Sequence, residues 1–145
     1  MRLSTKFVYG LQFLMNVAES TSDKYVQLRD VVRKEFVSEK YLESIASQLK
    51  QNGLLTVKRG ATGGYKLSKK REEISLYEII LALDNTSLMP ENAVENRQNA
   101  TINKQVVTDT VANLENYIRK YLKNISLNDI IKDKANYINY NDYQI

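Results

Sequence analysis

Two sets of residues in this chain of 145 have types and spacings that could do chemistry, and in both the chemistry is that of holding a polyanion. In Lys58-Arg59-Gly60-x-x-Gly63-Gly64-Tyr65, adjacent cations enter a turn whose glycines let the backbone approach a phosphate or enter a minor groove. Ser38, Glu39, Lys40, Glu43, Ser44 and Ser47 form the second set. They lie opposite the apolar side of a helical pattern made by Leu42, Ile45, Ala46 and Leu49. Short polar and charged groups at the start of such a helix are of the kind that read base edges.

Most catalytic chemistry lacks its residues. With 0 Cys there is no disulfide framework, no thiolate nucleophile and no Cys-held iron–sulfur cluster or zinc finger. With 0 His there is no imidazole acid–base catalysis, no Ser-His triad and hardly any transition-metal site. Neither a cofactor nor a metal is expected, and the chain reads as a binding protein rather than an enzyme. The Gly63-Gly64 pair does not make a nucleotide phosphate loop, which needs Gly-Lys-Ser/Thr leading into a helix, because Gly64 leads into Tyr65 and a strand. Glu72, Glu73 and Glu78 read as a solvated helix start favoured by the helix dipole, not as an acid–base pair.

Charge is divided along the chain. Residues 1–71 hold 14 Lys+Arg against 6 Asp+Glu, net +8, and residues 72–145 hold 7 against 11, net −4. The N-terminal half therefore faces the polyanion. No run approaches the roughly 18–20 uninterrupted apolar residues of a membrane span, and MRLSTKFVYG lacks a signal peptide's apolar centre, so the expected location is the cytoplasm.

The elements that must position these groups follow from periodicity. Phe7, Leu11, Leu14, Met15 and Ala18 predict a helix over residues 5–19, and Leu28, Val31 and Val32 a short second one. Ser38 caps a third helix that ends at Asn52-Gly53. Runs at 54–57 and 65–68 flank the glycine-rich turn and predict a β-hairpin, and residues 75–83 a fourth helix. The fold class is thus mainly α with a small hairpin: a winged helix-turn-helix over residues 1–83. Residues 84–103, rich in Asn and holding the only Pro, read as a linker. In residues 104–145, Val107, Val111, Leu114 and Ile118 stripe a long helix and need cover from this chain or another. A short helix from Ser126 through Ile131 and a Tyr- and Asn-rich tail over 135–145 complete the expectation.

Met1-Arg2-Leu3-Ser4-x-Lys6-x-x-Tyr9-Gly10-Leu11, Ser38-x-x-Tyr41-Leu42-Glu43 and Arg59-Gly60-x-x-Gly63-Gly64-Tyr65-x-Leu67, at these separations, resemble the Rrf2 family of bacterial winged-helix transcription regulators. The resemblance implies a homodimer formed through the long C-terminal helix, bound to a partly palindromic operator with the third helix in the major groove and the wing in the minor groove. By position it implies base reading by Ser38, Lys40, Glu43 and Ser44 and wing contacts by Arg59, Gly60, Gly63 and Gly64. Lys6, Tyr9 and Gln27 would approach phosphates. Val32 stands where the family usually has Ala, and Phe36 occupies a turn where small or polar residues are common. The three Cys that hold an iron–sulfur cluster in many members, in a stretch equivalent to about residues 88–107, are missing.

A cluster-free branch of the family represses cysteine metabolism in complex with cysteine synthase. The chain is similar to it in lacking the Cys triplet, in Ser126-Leu127-x-Asp129-Ile130 and in a Tyr-rich tail ending in Ile. That similarity implies cysteine synthase as a partner, engaged through Tyr143 and the terminal carboxylate of Ile145. Against this branch stand a regulator of another pathway with an unidentified effector, and an adaptor that uses the winged helix for protein contacts. Strongly salt-dependent affinity for duplex DNA separates the adaptor from the regulators.

Overall fold

A computed structural model describes residues 3–20, 24–84 and 101–142. Helix α1 spans Thr5–Glu19, with the Ser4 hydroxyl accepting from the Phe7 N–H at 3.1 Å as its cap. Helix α2 (Leu28–Glu35) and helix α3 (Glu39–Gln51) form the helix-turn-helix pair. Strands β1 (Leu55–Lys58) and β2 (Gly64–Leu67) pair antiparallel, with Leu55 opposite Leu67 and Lys58 opposite Gly64. Helix α4 (Leu76–Leu83), helix α5 (Ile102–Asn124) and helix α6 (Leu127–Asp142) complete the chain.

One apolar cluster holds the winged domain together. Phe13 and Leu14 of α1, Leu42, Ile45 and Leu49 of α3, and Ile79 and Ile80 of α4 are fully buried in it. Gly10 permits this packing, because a Cβ there would run into the Leu83 side chain and crowd Ile45. Leu122 of α5 and Leu127 of α6 belong to the same cluster, so the C-terminal helices are rooted in the domain. The root is a short antiparallel bridge in which Leu76 N–H donates to the Ile125 carbonyl and Leu127 N–H to that of Ile74, both at 2.8 Å. Each following helix starts on a reciprocal cap, Ser75 with Glu78 and Ser126 with Asp129. Burial pushes the Glu78 carboxyl up, but the Lys69 ammonium and the Ser75 N–H and O–H outweigh it and leave the group below its usual range.

One expectation is corrected. The predicted short helix and tail are one helix, α6, running to Asp142. Nothing between Lys132 and Asp142 is Gly or Pro, so backbone bonding continues past Ile131 although residues 132–140 are all exposed. Ile118, on the stripe of α5 that needs cover from this chain or another, packs partly against the domain core. Val107 and Leu114 remain outward, 62% and 59% exposed, and Val111 is half-buried. The linker's residues 85–100 lie outside the described ones, as do Tyr143 and Ile145.

The turn between α2 and α3 carries a conformational cost. Phe36 closes α2 in the left-handed region at φ 55° and ψ 41°, and its ring is 94% exposed. A residue with a Cβ is strained there and glycine is not, which gives the departure noted at this turn a physical meaning. Phe36→Gly is expected to raise stability by about 0.5–1 kcal/mol, since little packing is lost. Urea unfolding checks this, and a lowered midpoint would show that the exposed ring has a contact in solution.

Candidate nucleic-acid interface

Helix α3 separates its two faces cleanly. Leu42, Ile45, Ala46 and Leu49 face the core, while Ser38, Lys40, Glu43, Ser44 and Ser47 are exposed. Ser38 Oγ caps the helix by accepting from the Tyr41 N–H at 3.3 Å, which leaves its proton and one lone pair for a partner. Tyr41 is held edge-on by Tyr9 of α1, ring centroids 5.9 Å apart. Tyr9 therefore supports α3, and Lys6, one turn earlier on α1, is half-buried.

The two-stranded wing is tied to the helix-turn-helix by a single-residue bridge. Val26, just before α2, exchanges both backbone hydrogen bonds with Tyr65 at 2.8 Å. Gly64 makes this approach possible: its φ is 141°, and a Cβ would strike the Val26 carbonyl. At Gly63 a Cβ would strike the Lys58 carbonyl, and the Gly63 N–H closes the tip on Gly60 at 3.0 Å. Behind the wing, the Tyr65 ring meets Phe13 edge-on at 5.4 Å. Burial, and then the negative charge of Glu43, hold the Tyr65 phenol above its usual range.

Gln27 is engaged within the protein. Its amide N–H donates to the Ala61 carbonyl at 2.9 Å, and its Oε1 accepts from Arg29 Nε at 2.8 Å. The side chain pins the wing tip to the start of α2, and the guanidinium of Arg29 is the exposed charge of the pair. Sequence reasoning did not single out Arg29, nor Tyr25, whose ring has the ammonium groups of Lys58 and Lys66 each 5.7 Å from its centroid. Only the run Lys24-Tyr25 beside a hairpin rich in Lys hinted at this arrangement, and the hint depends on pairings that the linear order does not display.

These parts border one open cleft of about 320 Å³, walled by Arg29 on α2, Glu39 on α3 and Lys58 and Gly60 on the wing. The arrangement can neutralise phosphates along the wing while offering α3's polar side chains to a groove. Among the described residues, no helix is long and apolar enough to cross a membrane, and no three Cys, His, Asp or Glu side chains gather as a metal site.

Comparison with known proteins agrees with this geometry. A model of the Rrf2 family, described as an iron-dependent transcriptional regulator, matches residues 3–133. The chain does not carry the donors an iron–sulfur cluster takes, having neither Cys nor His. It is 30% identical over 135 residues to the HTH-type transcriptional regulator IscR of Pectobacterium atrosepticum, covering 92% of this chain and 81% of that one. Over 96 residues it is 33% identical to protein rrf2 of Nitratidesulfovibrio vulgaris, covering 66% and 64%. Among solved structures, oxidised CymR of Staphylococcus aureus matches with a TM-score of 0.66 at 27% identity, covering 90% of this chain and 96% of that one. CymR of B. subtilis, titled its global cysteine regulator, shares the fold with a TM-score of 0.72 at 24% identity, covering 91% and 97%. The relatives are transcriptional regulators and not enzymes. The chain belongs to the Rrf2 family, and it is a transcriptional regulator with a winged-helix fold.

Proposed function

We propose that two copies of this chain bind a partly palindromic duplex operator and repress transcription by occluding a promoter in the cytoplasm. In each copy, residues 1–83 contact DNA, with α3 in the major groove and the wing in the adjacent minor groove, while residues 104–145 hold the two copies together. The carrying observation is the common cleft of α2, α3 and the wing, where Arg29, Glu39 and Lys58 meet, with α3's other polar side chains exposed along the same helix. Ser38, Lys40, Glu43 and Ser44 are the base-reading candidates, and Arg59, Gly60, Gly63 and Gly64 the wing contacts. Lys6 approaches a phosphate. Tyr9 and Gln27 act by positioning α3 and the wing tip.

Affinity and discrimination reside in different residues. Arg59→Ala is expected to weaken binding to every sequence, because a guanidinium gains from the negative potential of a narrow groove. Glu43→Ala is expected to relax base preference by about 1–3 kcal/mol, since a carboxylate accepts from cytosine N4 and repels phosphate elsewhere. Competition with base-substituted operators checks both, and unchanged preference in Glu43→Ala would remove that side chain from direct readout.

Control of cysteine metabolism, with cysteine synthase as co-regulator, is the pathway we favour. It is supported by the likeness to S. aureus CymR at 27% identity. In this scheme the Ile145 carboxylate enters a pocket built for an amino-acid substrate, with Tyr143 beside it. Titration into cysteine synthase with and without O-acetylserine is expected to show competition, and deleting Ile145 to abolish complex formation while sparing DNA binding. Equal binding by the intact and shortened chains would exclude the tail.

A further inference from the structure

The wing has a second face, turned away from the core. Side chains alternate along a strand, and Tyr65 points inward onto Phe13. Lys66, the next residue, therefore points outward, as does Lys58, which stands opposite Gly64 in the ladder. The antiparallel bridge between Val26 and Tyr65 carries this register across to the preceding segment and sets Tyr25 level with Lys66. Gly64 has no side chain to stand between the Tyr25 ring and Lys58, and the ammonium groups of Lys58 and Lys66 each come within 5.7 Å of the ring centroid. Lys24, Tyr25 and Thr62 line an open cleft of about 420 Å³ here, which meets the first cleft at Gln27, Lys58 and Gly63.

The charges on this face have one sign. Lys24 and Lys58 are exposed, and among the described residues neither has a carboxylate within ion-pair distance. Two ammonium groups gathered on one ring repel each other, and the negative face of the ring offsets only part of that repulsion. An ammonium over a ring still has protons to donate, so an anion beside the pair lowers their energy further. With Lys24 on the same cleft, cations are offered along one open surface. A chain of phosphates matches that pattern, and a single small anion leaves part of it unmet.

We propose that this outer face of the wing binds the sugar–phosphate backbone of duplex DNA, with Lys24, Lys58 and Lys66 on phosphates and Tyr25 as the positioning residue that gathers the last two. A wing in a minor groove has a backbone on each side. The first cleft takes the strand between the two grooves, and the outer face takes the other; this assignment rests on the DNA-binding reading. The added affinity is independent of sequence, because phosphate contacts carry no base information.

Titration of the full chain with an operator duplex selected from genomic fragments, and with an unrelated duplex, over a range of salt concentrations tests this face. Lys24→Gln combined with Lys66→Gln is expected to weaken both complexes by about tenfold or more and to flatten the slope of log K against log salt by about 2, nearly one for each lost phosphate contact, with the preference for the operator unchanged. Tyr25→Leu is expected to weaken both by about threefold, while Tyr25→Phe, which keeps a ring, binds as the wild type does. Slow amide exchange at Val26 and Tyr65 in every variant shows that the bridge is intact. Unchanged affinity and slope in the lysine double variant would overturn the proposal while leaving α3 and the first cleft as the DNA-binding surface. Equal losses in Tyr25→Leu and Tyr25→Phe would overturn the positioning role of the ring. Failure of the wild type to bind either duplex would overturn the proposal together with the reading beneath it.

Discussion

Exchanging Val107 and Leu114 for Glu is expected to leave the chain folded but monomeric, and to lower its affinity for a two-half-site operator by about 10²–10⁴-fold, the gain that linking two binding modules normally supplies. Both side chains are more than half exposed in the single chain, so the change removes nothing from its core. Ile102, Val106, Tyr117 and Tyr121 are also exposed on the same helix, and exposed apolar groups gathered on one element mark an interaction surface. Two copies meeting symmetrically would cover it and set two α3 helices at a fixed spacing. Ile118 is the poorer site for this test, because its partial packing on the core would mix unfolding with dissociation. Light scattering and a duplex titration on the same sample check the outcome. A variant that stays dimeric would place the interface elsewhere.

Phe13→Ala is expected to cost about 3–5 kcal/mol, a large part of the stability of a domain this size. The ring is fully buried, and it stands between the helical core and the wing by meeting Tyr65 edge-on. Its loss opens a cavity on one side and unseats β2 on the other. Wing mobility should therefore rise before global unfolding, visible as faster amide exchange at Tyr65 and Val26, whose paired N–H groups report the bridge between the wing and the start of α2. Phe13→Leu, which keeps most of the volume, is expected to cost far less. Urea midpoints of the two variants decide it, and a loss below about 1 kcal/mol in Phe13→Ala would mean that the wing is seated by other contacts.

Capping chemistry and periodicity made the first half of the fold legible. Ser4, Ser38 and Ser75 each sit one residue before a helix and accept from an N–H three residues on, and the apolar spacing behind them names the buried faces of α1, α3 and α4. What the sequence did not display are features that depend on distant partners. Val26 bridges to the wing only because Tyr65 lies beside it, and a single paired residue leaves no alternation to read. Gln27 carries nothing local to say that its amide bonds to Ala61 rather than to a phosphate. The extent of α6 was underestimated because its second half has no apolar stripe facing the domain, the signal by which helices are recognised. Lys134, bound to Glu19 across 115 positions, fastens it instead.

A pair of these chains is expected to hold a duplex operator with α3 and the wing, using the net +8 of residues 1–71. Equilibrium titration of an operator duplex, selected from genomic fragments by the purified protein and repeated over a range of salt concentrations, tests it most directly. Two chains per duplex are expected, with log K falling against log salt at a slope of about −5 or steeper, as release of counterions from several phosphates requires. A single chain per duplex, or an affinity indifferent to salt, would show that a pair of chains does not hold DNA through this basic half.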